Sequence, residues 1–233
     1  MARGSCLFKR PHHRRVSQIL DCLDEALLTR TACFFGGGTA IVLLLGEYRE
    51  SIDIDLLCAS HHGYRELRNA VNERSLGALM KRPVELMREV RADRYGIRTF
   101  CKIDDTPVKL EIVREDRINL SSQTVATLPI PVLSQADMYA EKLLANTDRW
   151  ADRSTANRDA IDLAMMIHHW GPIPDTAWIK VHEAYGASVD RALAQTNALL
   201  ADNTHLLACL KKMDMDVALA PTIQTALSKA HSL

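Results

Sequence analysis

A chain of 233 residues is long enough to bury a substantial core and to divide into one or two domains. With 47% apolar and 25% charged residues it has an ordinary globular composition, and 29 basic against 29 acidic side chains exclude a polycation built to coat nucleic acid. No apolar run approaches a membrane span, the N-terminus lacks the apolar core of a signal peptide, and the six cysteines are scattered without paired spacing. The expectation is a soluble, cytoplasmic protein with free thiols.

Residues 1–18 carry Arg3, Lys9, Arg10, Arg14 and Arg15 with His12 and His13 and no acid. This stretch reads as a solvated or frayed terminus, with a phosphate-gripping arm as the alternative. From Val16 to Leu28 apolar residues recur at helical spacing, which predicts one helix. Ala32 to Phe35 then reads as a short buried strand, followed by three consecutive glycines, Gly36 to Gly38. Such a run fits where backbone turns tightly or approaches another group closely. Thr39 opens a short helix that ends near Gly46, and its free N-terminal N–H groups form an anion site.

Ile52 to Leu57 reads as a second strand, with Asp53 and Asp55 on one face and Ile52, Ile54 and Leu56 turned to the core. Two adjacent carboxylates repel, and a divalent cation such as Mg²⁺ (or Mn²⁺) between them relieves that repulsion. Glycine turn, helix and Asp pair together form a set of parts for handling a nucleoside triphosphate (NTP). Cys58, His61 and His62 lack the second ligand pair of a zinc site.

Tyr64 to Leu79 reads as helical, and Val84 to Val90 as either strand or short helix. Tyr95 to Val113 alternates on both sides of Asp104-Asp105-Thr106-Pro107, a β-hairpin pattern in which Val108, Leu110 and Ile112 face one side and Lys109 and Glu111 the other. Leu128-Pro129-Ile130-Pro131 reads as an extended linker and domain boundary. Beyond it the pattern is helical: from a capping sequence at Ser134 towards Trp150, from Thr155 to Trp170, from Asp175 onward, and to the end with breaks near Asp202-Asn203 and before Pro221.

Strand, glycines, helix, strand and paired Asp in that order resemble the polymerase-β-like nucleotidyltransferase superfamily. Gly37-Gly38-Thr39-Ala40 with Arg49-x-Ser51-x-Asp53-x-Asp55 is similar to its AbiEii/AbiGii toxin branch, and the likeness extends over roughly residues 30–165. Glu141-Lys142-Leu143-Leu144-Ala145, Arg149 and Arg158-Asp159-Ala160-Ile161-Asp162 continue it.

The resemblance implies an α+β fold: a mixed β-sheet core with flanking helices over residues 31–130, preceded by a basic arm and helix over 1–30. An all-helical C-terminal domain follows over 131–233, with the active site in the cleft between core and helical domain. It implies catalytic roles for Asp53, Asp55, Glu111, Lys142 and Asp159, with Asp162 as the alternative to Asp159. Metal ligation would fall to Asp53, Asp55 and Glu111, with Asp104 and Asp105 at the hairpin turn as rivals to Glu111, and nucleotide binding to Gly37, Gly38, Thr39, Arg49, Ser51 and Lys142. The implied reaction is transfer of a nucleoside monophosphate from NTP to an acceptor hydroxyl, with an RNA end, such as that of tRNA, as acceptor. A cognate antitoxin would be the partner in a type IV toxin–antitoxin or phage-defence system. A small-molecule nucleotidyltransferase and a catalytically idle nucleotide-binding module are the rival readings.

Overall fold

The computed structural model describes residues 7–230. They form two compact units: the first runs to Leu43 and resumes over Ser51–Ser134, and the second takes Leu44–Glu50 and the chain from Gln135 onward.

The first unit is built on a mixed sheet of β1 (Cys33–Gly36), β2 (Ile54–Cys58), β3 (Arg91–Ala92), β4 (Gly96–Ile103), β5 (Thr106–Arg114), β6 (Ser122–Gln123) and β7 (Val132–Leu133), in the order β3-β4-β5-β2-β1-β7-β6. β2 runs parallel to β5 and β1 parallel to β7, while the remaining neighbours are antiparallel. Alternation along β4, β5 and the start of β2 divides two faces, whereas β1 is buried throughout. Ile54, Leu56, Ile97, Cys101, Val108, Leu110 and Ile112 are wholly buried on one face. Asp55, Arg98, Lys109 and Glu111 occupy the intervening positions, half-buried on the other.

The hairpin forms where the pattern predicts it. Asp104 and Asp105 both take positive φ, 48° and 58°, in a two-residue turn whose twist matches that of the strands. Val84 to Val90 is neither strand nor helix but an extended segment beside β4, bridged at Leu86 to Cys101. Leu128–Pro131 is not a free linker: Phe35 N–H donates to Pro131 C=O at 2.9 Å and β7 follows at once. The change of unit falls after Ser134.

Helices α1 (Pro11–Leu20), α2 (Glu25–Arg30), α3 (Gly37–Leu44) and α4 (His61–Ala70) accompany the sheet. The single helix expected over Val16–Leu28 is two, because Asp24 accepts the Leu27 N–H at 2.7 Å and caps a new start. The stretch expected to fray is folded from Phe8 onward. Pro11 opens α1, and His13, Val16, Ile19 and Leu20 are buried. Arg3, the first residue of the proposed arm, lies outside the described residues. Strand β2 starts later than the alternation implied, so Ile52, expected in the core, is 52% exposed. Helix α4 begins at His61 under the Ser60 cap and ends at Ala70, short of Leu79, where Asn72 and Ser75 form a tight turn. The five cysteines among the described residues are free thiols, and no described helix is long and apolar enough to cross a membrane.

The second unit consists of α5 (Gln135–Arg149), α6 (Arg158–Trp170), α7 (Asp175–Tyr185), α8 (Ser188–Ala201), α9 (Asn203–Lys212) and α10 (Ala220–Leu227). Gly171 and Gly186, at φ 98° and 56°, stop α6 and α7. Apolar faces of these helices carry Leu143, Leu144, Ile161, Leu163, Leu206 and Ile223, each essentially inaccessible.

Gly63 shows how tightly the first unit is closed. A Cβ there would stand 2.0 Å from the Thr31 carbonyl oxygen, which is backbone and cannot rotate aside. Gly63→Ala is therefore expected to destabilise the protein by about 3 kcal/mol. Urea unfolding checks this, and an unchanged midpoint would show that α4 can slide.

Candidate active site

Strand β1 ends at Gly36, directly across the antiparallel ladder from Asp55. The chain reverses there at Gly37, whose φ is +68°. A Cβ on Gly37 would lie 2.4 Å from Asp55 Oδ2, so only glycine lets the backbone pass this carboxylate. Gly37 and Gly38 are the first two residues of α3, and their N–H groups belong to the unsatisfied first turn. Thr39 is 1% exposed and looks inward: its hydroxyl donates to the Asp53 carbonyl at 2.5 Å. With that proton committed, the Ser51 hydroxyl must donate to Thr39 Oγ1, 2.8 Å away. Thr39 and Ser51 thus hold the segment that presents Asp53.

Helix α1 holds the same segment from the other direction. Ser51 N–H donates to His13 Nε2 at 3.1 Å, and His12 Nε2 donates to the Ile52 carbonyl at 3.0 Å. Acceptance at Nε2 puts the His13 proton on Nδ1, whereas donation keeps a proton on His12 Nε2. Sequence reasoning missed both residues because an acid-free basic stretch looked like a tail. The burial signal was present in Val16 and Ile19, which continue the same helix.

Asp55 pairs in register with Glu111 of β5, and Arg98 of β4 lies across from Glu111, so the three share a face. Lys109, two residues earlier on β5, shares it too. Arg98 Nε donates to Glu111 Oε1 at 2.6 Å, and the Lys109 ammonium bonds to Oε2. Burial alone would raise the Glu111 carboxyl, but Lys109 and Arg98 outweigh it and hold the group below its ordinary value. For Lys109 burial pulls down, while Glu111 and then Asp53 and Asp55 push the ammonium above the usual range. Asp53 and Asp55 fit a hard divalent cation: two carboxylates beside a backbone that no side chain obstructs. Among the described residues no three His, Cys, Asp or Glu side chains are gathered closely enough to hold a metal ion.

The second unit contains the other residues of the expected set. Arg49 is 5% exposed, and its Nε and Nη2 each donate to the Asp162 carboxylate at 2.7 Å. Tyr48 OH donates to the same Asp162 at 2.6 Å. Lys142 Nζ reaches Asp162 Oδ2 at 2.6 Å and Asp159 Oδ1 at 2.9 Å, so both rival carboxylates share it. Arg149 completes the cluster, with Nε on Asp159 Oδ2 at 2.6 Å and Nη2 on Oδ1 at 2.9 Å. Burial would raise Asp162, yet Arg49 and Lys142 hold it well below the carboxylate range; for Asp159 burial likewise raises, and Lys142 and Arg149 outweigh it and lower the group. The Tyr48 hydroxyl is pushed well above its usual value by burial and then by Asp162. Three cations against two carboxylates leave one positive charge in excess.

The family described as "Nucleotidyl transferase AbiEii toxin, Type IV TA system" matches residues 18–229. No curated protein matches the chain. The solved structure of JHP933 from Helicobacter pylori is similar at 16% identity and a TM-score of 0.54, over 95% of this chain and 92% of that one. An antigenic nucleotidyltransferase-like protein from Paracoccidioides brasiliensis is similar at 15% identity and a TM-score of 0.51, over 97% and 96% of the two chains. At these identities the likeness to the two structures is one of fold.

The buried carboxylates make stability depend on pH with a definite sign. Asp159 and Asp162 ionise at lower pH in the folded chain than at the value near 3.9 of an unfolded aspartate, so acid loads the unfolded state with protons first. Their stabilisation is fully present above about pH 4 and is lost as pH falls towards the depressed folded values. Asp162→Ala strands Arg49, leaves Lys142 to Asp159 alone and is expected to cost about 3–5 kcal/mol at pH 7. It should also flatten the loss of stability below about pH 4. Denaturant unfolding at stepped pH checks both, and an unchanged acid slope would remove Asp162 from the acid response.

Proposed function

The chain belongs to the AbiEii family of nucleotidyl transferase toxins, and from that membership we propose that it moves a nucleoside monophosphate from an NTP to the terminal hydroxyl of an RNA such as tRNA. The observation that carries this reading is the turn at Gly37: backbone passes Asp55 where no side chain would fit, at the start of a helix whose first N–H groups are unsatisfied within the helix. That combination suits a triphosphate seated against the α3 N-terminus, with Gly37 and Gly38 donating N–H groups to its oxygens.

Asp53 and Asp55 would hold Mg²⁺ or Mn²⁺, which when bound neutralises triphosphate charge and acidifies the acceptor hydroxyl. Thr39, Ser51, His12 and His13 act through Asp53 by fixing the backbone that carries it. Lys142 contributes a cation directed by Asp159 and Asp162, and Arg49 locks Asp162 in place. A cognate antitoxin is the partner that a type IV system implies.

Incubating the protein with each labelled triphosphate, Mg²⁺ and total cellular RNA, then sizing the product, tests the reading. Label on RNA is expected, falling at least about 10³-fold in Asp53→Asn with the fold retained. Label on a small molecule alone would redirect the acceptor, and absence of transfer to either would leave a nucleotide-binding module.

A further inference from the structure

Glu111 stands where a third metal ligand is sought, but both of its oxygens are engaged. Oε1 accepts from Arg98 Nε at 2.6 Å, and Oε2 is bonded to the Lys109 ammonium. The Glu111 side chain is 14% exposed, while those of Arg98 and Lys109 are 41% and 33% exposed. Neither partner is accidental in position: Arg98 is the registered neighbour across β4–β5, and Lys109 is the next residue back on the same face of β5. Lys109 directly precedes Leu110, whose register partner Ile54 is the first residue of β2. The ammonium interacts with all three carboxylates. To ligate a metal, Glu111 would have to offer it an oxygen already bound to a guanidinium or an ammonium, and that cation would repel the metal.

We propose that Glu111 anchors Lys109 instead of binding metal, and that Lys109 with Arg98 supplies the positive charge that a second divalent ion would otherwise bring. Charge supports this. Three bare carboxylates reach a net charge of +1 with two divalent ions. The same carboxylates flanked by Lys109 and Arg98 reach +1 with one, or 0 when Asp93, which accepts from Arg98 Nη1 at 3.2 Å, is counted as well. Lys109 is then a positioning residue that sets how strongly Asp53 and Asp55 attract a cation, and it competes with that cation through like-charge repulsion. The inference rests on Asp53 and Asp55 being the metal ligands proposed above.

Mn²⁺ alone, titrated into the full chain and followed by the electron paramagnetic resonance of the free ion, tests it without any turnover. Asp53→Asn should weaken binding at least about tenfold, whereas Glu111→Gln should stay within about threefold of the parent. Lys109→Met should tighten binding about tenfold, and Lys109→Arg should restore the parent value. Glu111→Gln as damaging as Asp53→Asn would make Glu111 a ligand and overturn the proposal, as would unchanged affinity in Lys109→Met. Parent binding that Asp53→Asn does not alter, or no binding in parent and Lys109→Met alike, would instead overturn the assignment of Asp53 and Asp55, and the proposal with it. Circular dichroism verifies that each variant is folded. If Glu111→Gln is not, the Lys109 pair decides alone.

Discussion

A carboxylate wholly removed from water must be met by positive charge, and Asp162 is such a group. Its two oxygens draw in a bidentate arginine, a lysine and a tyrosine hydroxyl, and the lysine in turn is shared with Asp159. Planar guanidinium geometry suits both oxygens of a carboxylate, which is why arginines hold the outer ends of the cluster and the compact lysine its middle. The result is a buried ionic lattice. It orients Lys142 along a fixed direction, an unusual restraint for a side chain with so many rotatable bonds.

The sheet uses a different solution to a related problem. Asp53, Asp55 and Glu111 are only partly withdrawn from solvent, so their mutual repulsion can be moderated by neighbours on the same face. Alternation achieves this without cost to the core: Ile97, Cys101, Val108, Leu110 and Ile112 are apolar and buried, while Arg98, Lys109 and Glu111 between them carry charge. Core and candidate site are two faces of the same strands. A register slip of one residue would exchange them, so the packing of Val108, Leu110 and Ile112 also enforces the placement of Lys109 and Glu111.

Much of this was legible in the chain itself. The glycine turn, α3 and the Asp pair lie within a few consecutive residues, so their order alone pointed to a phosphate-handling arrangement. The side on which Glu111 falls followed from period-two alternation. What could not be read were bonds between distant positions. Arg49 and Asp162 are 113 residues apart, and nothing near either one names the other. The roles of His12 and His13 depend on a backbone N–H and carbonyl at Ser51 and Ile52 that have no signature in side-chain identity. The start of β2 was misjudged for a similar reason. Ile52 matches the apolar alternation, but the Thr39 bond to the Asp53 carbonyl takes that backbone out of the ladder.

The seven residues from Leu44 to Glu50 give the second unit a discontinuous ancestry along the chain. A gene fragment ending at Ser134 would encode Arg49 without Asp162, and its complement would encode Asp162 and Lys142 without Arg49. The first piece would carry Arg49 without its carboxylate, and in the second the buried Asp162 would lose its bidentate guanidinium. Recombination at the helix boundary is therefore penalised even though it cuts no strand or helix, and the two units are bound to be passed on together. Exchange of the helical part between relatives would succeed only if the segment around Tyr48 and Arg49 travelled with it.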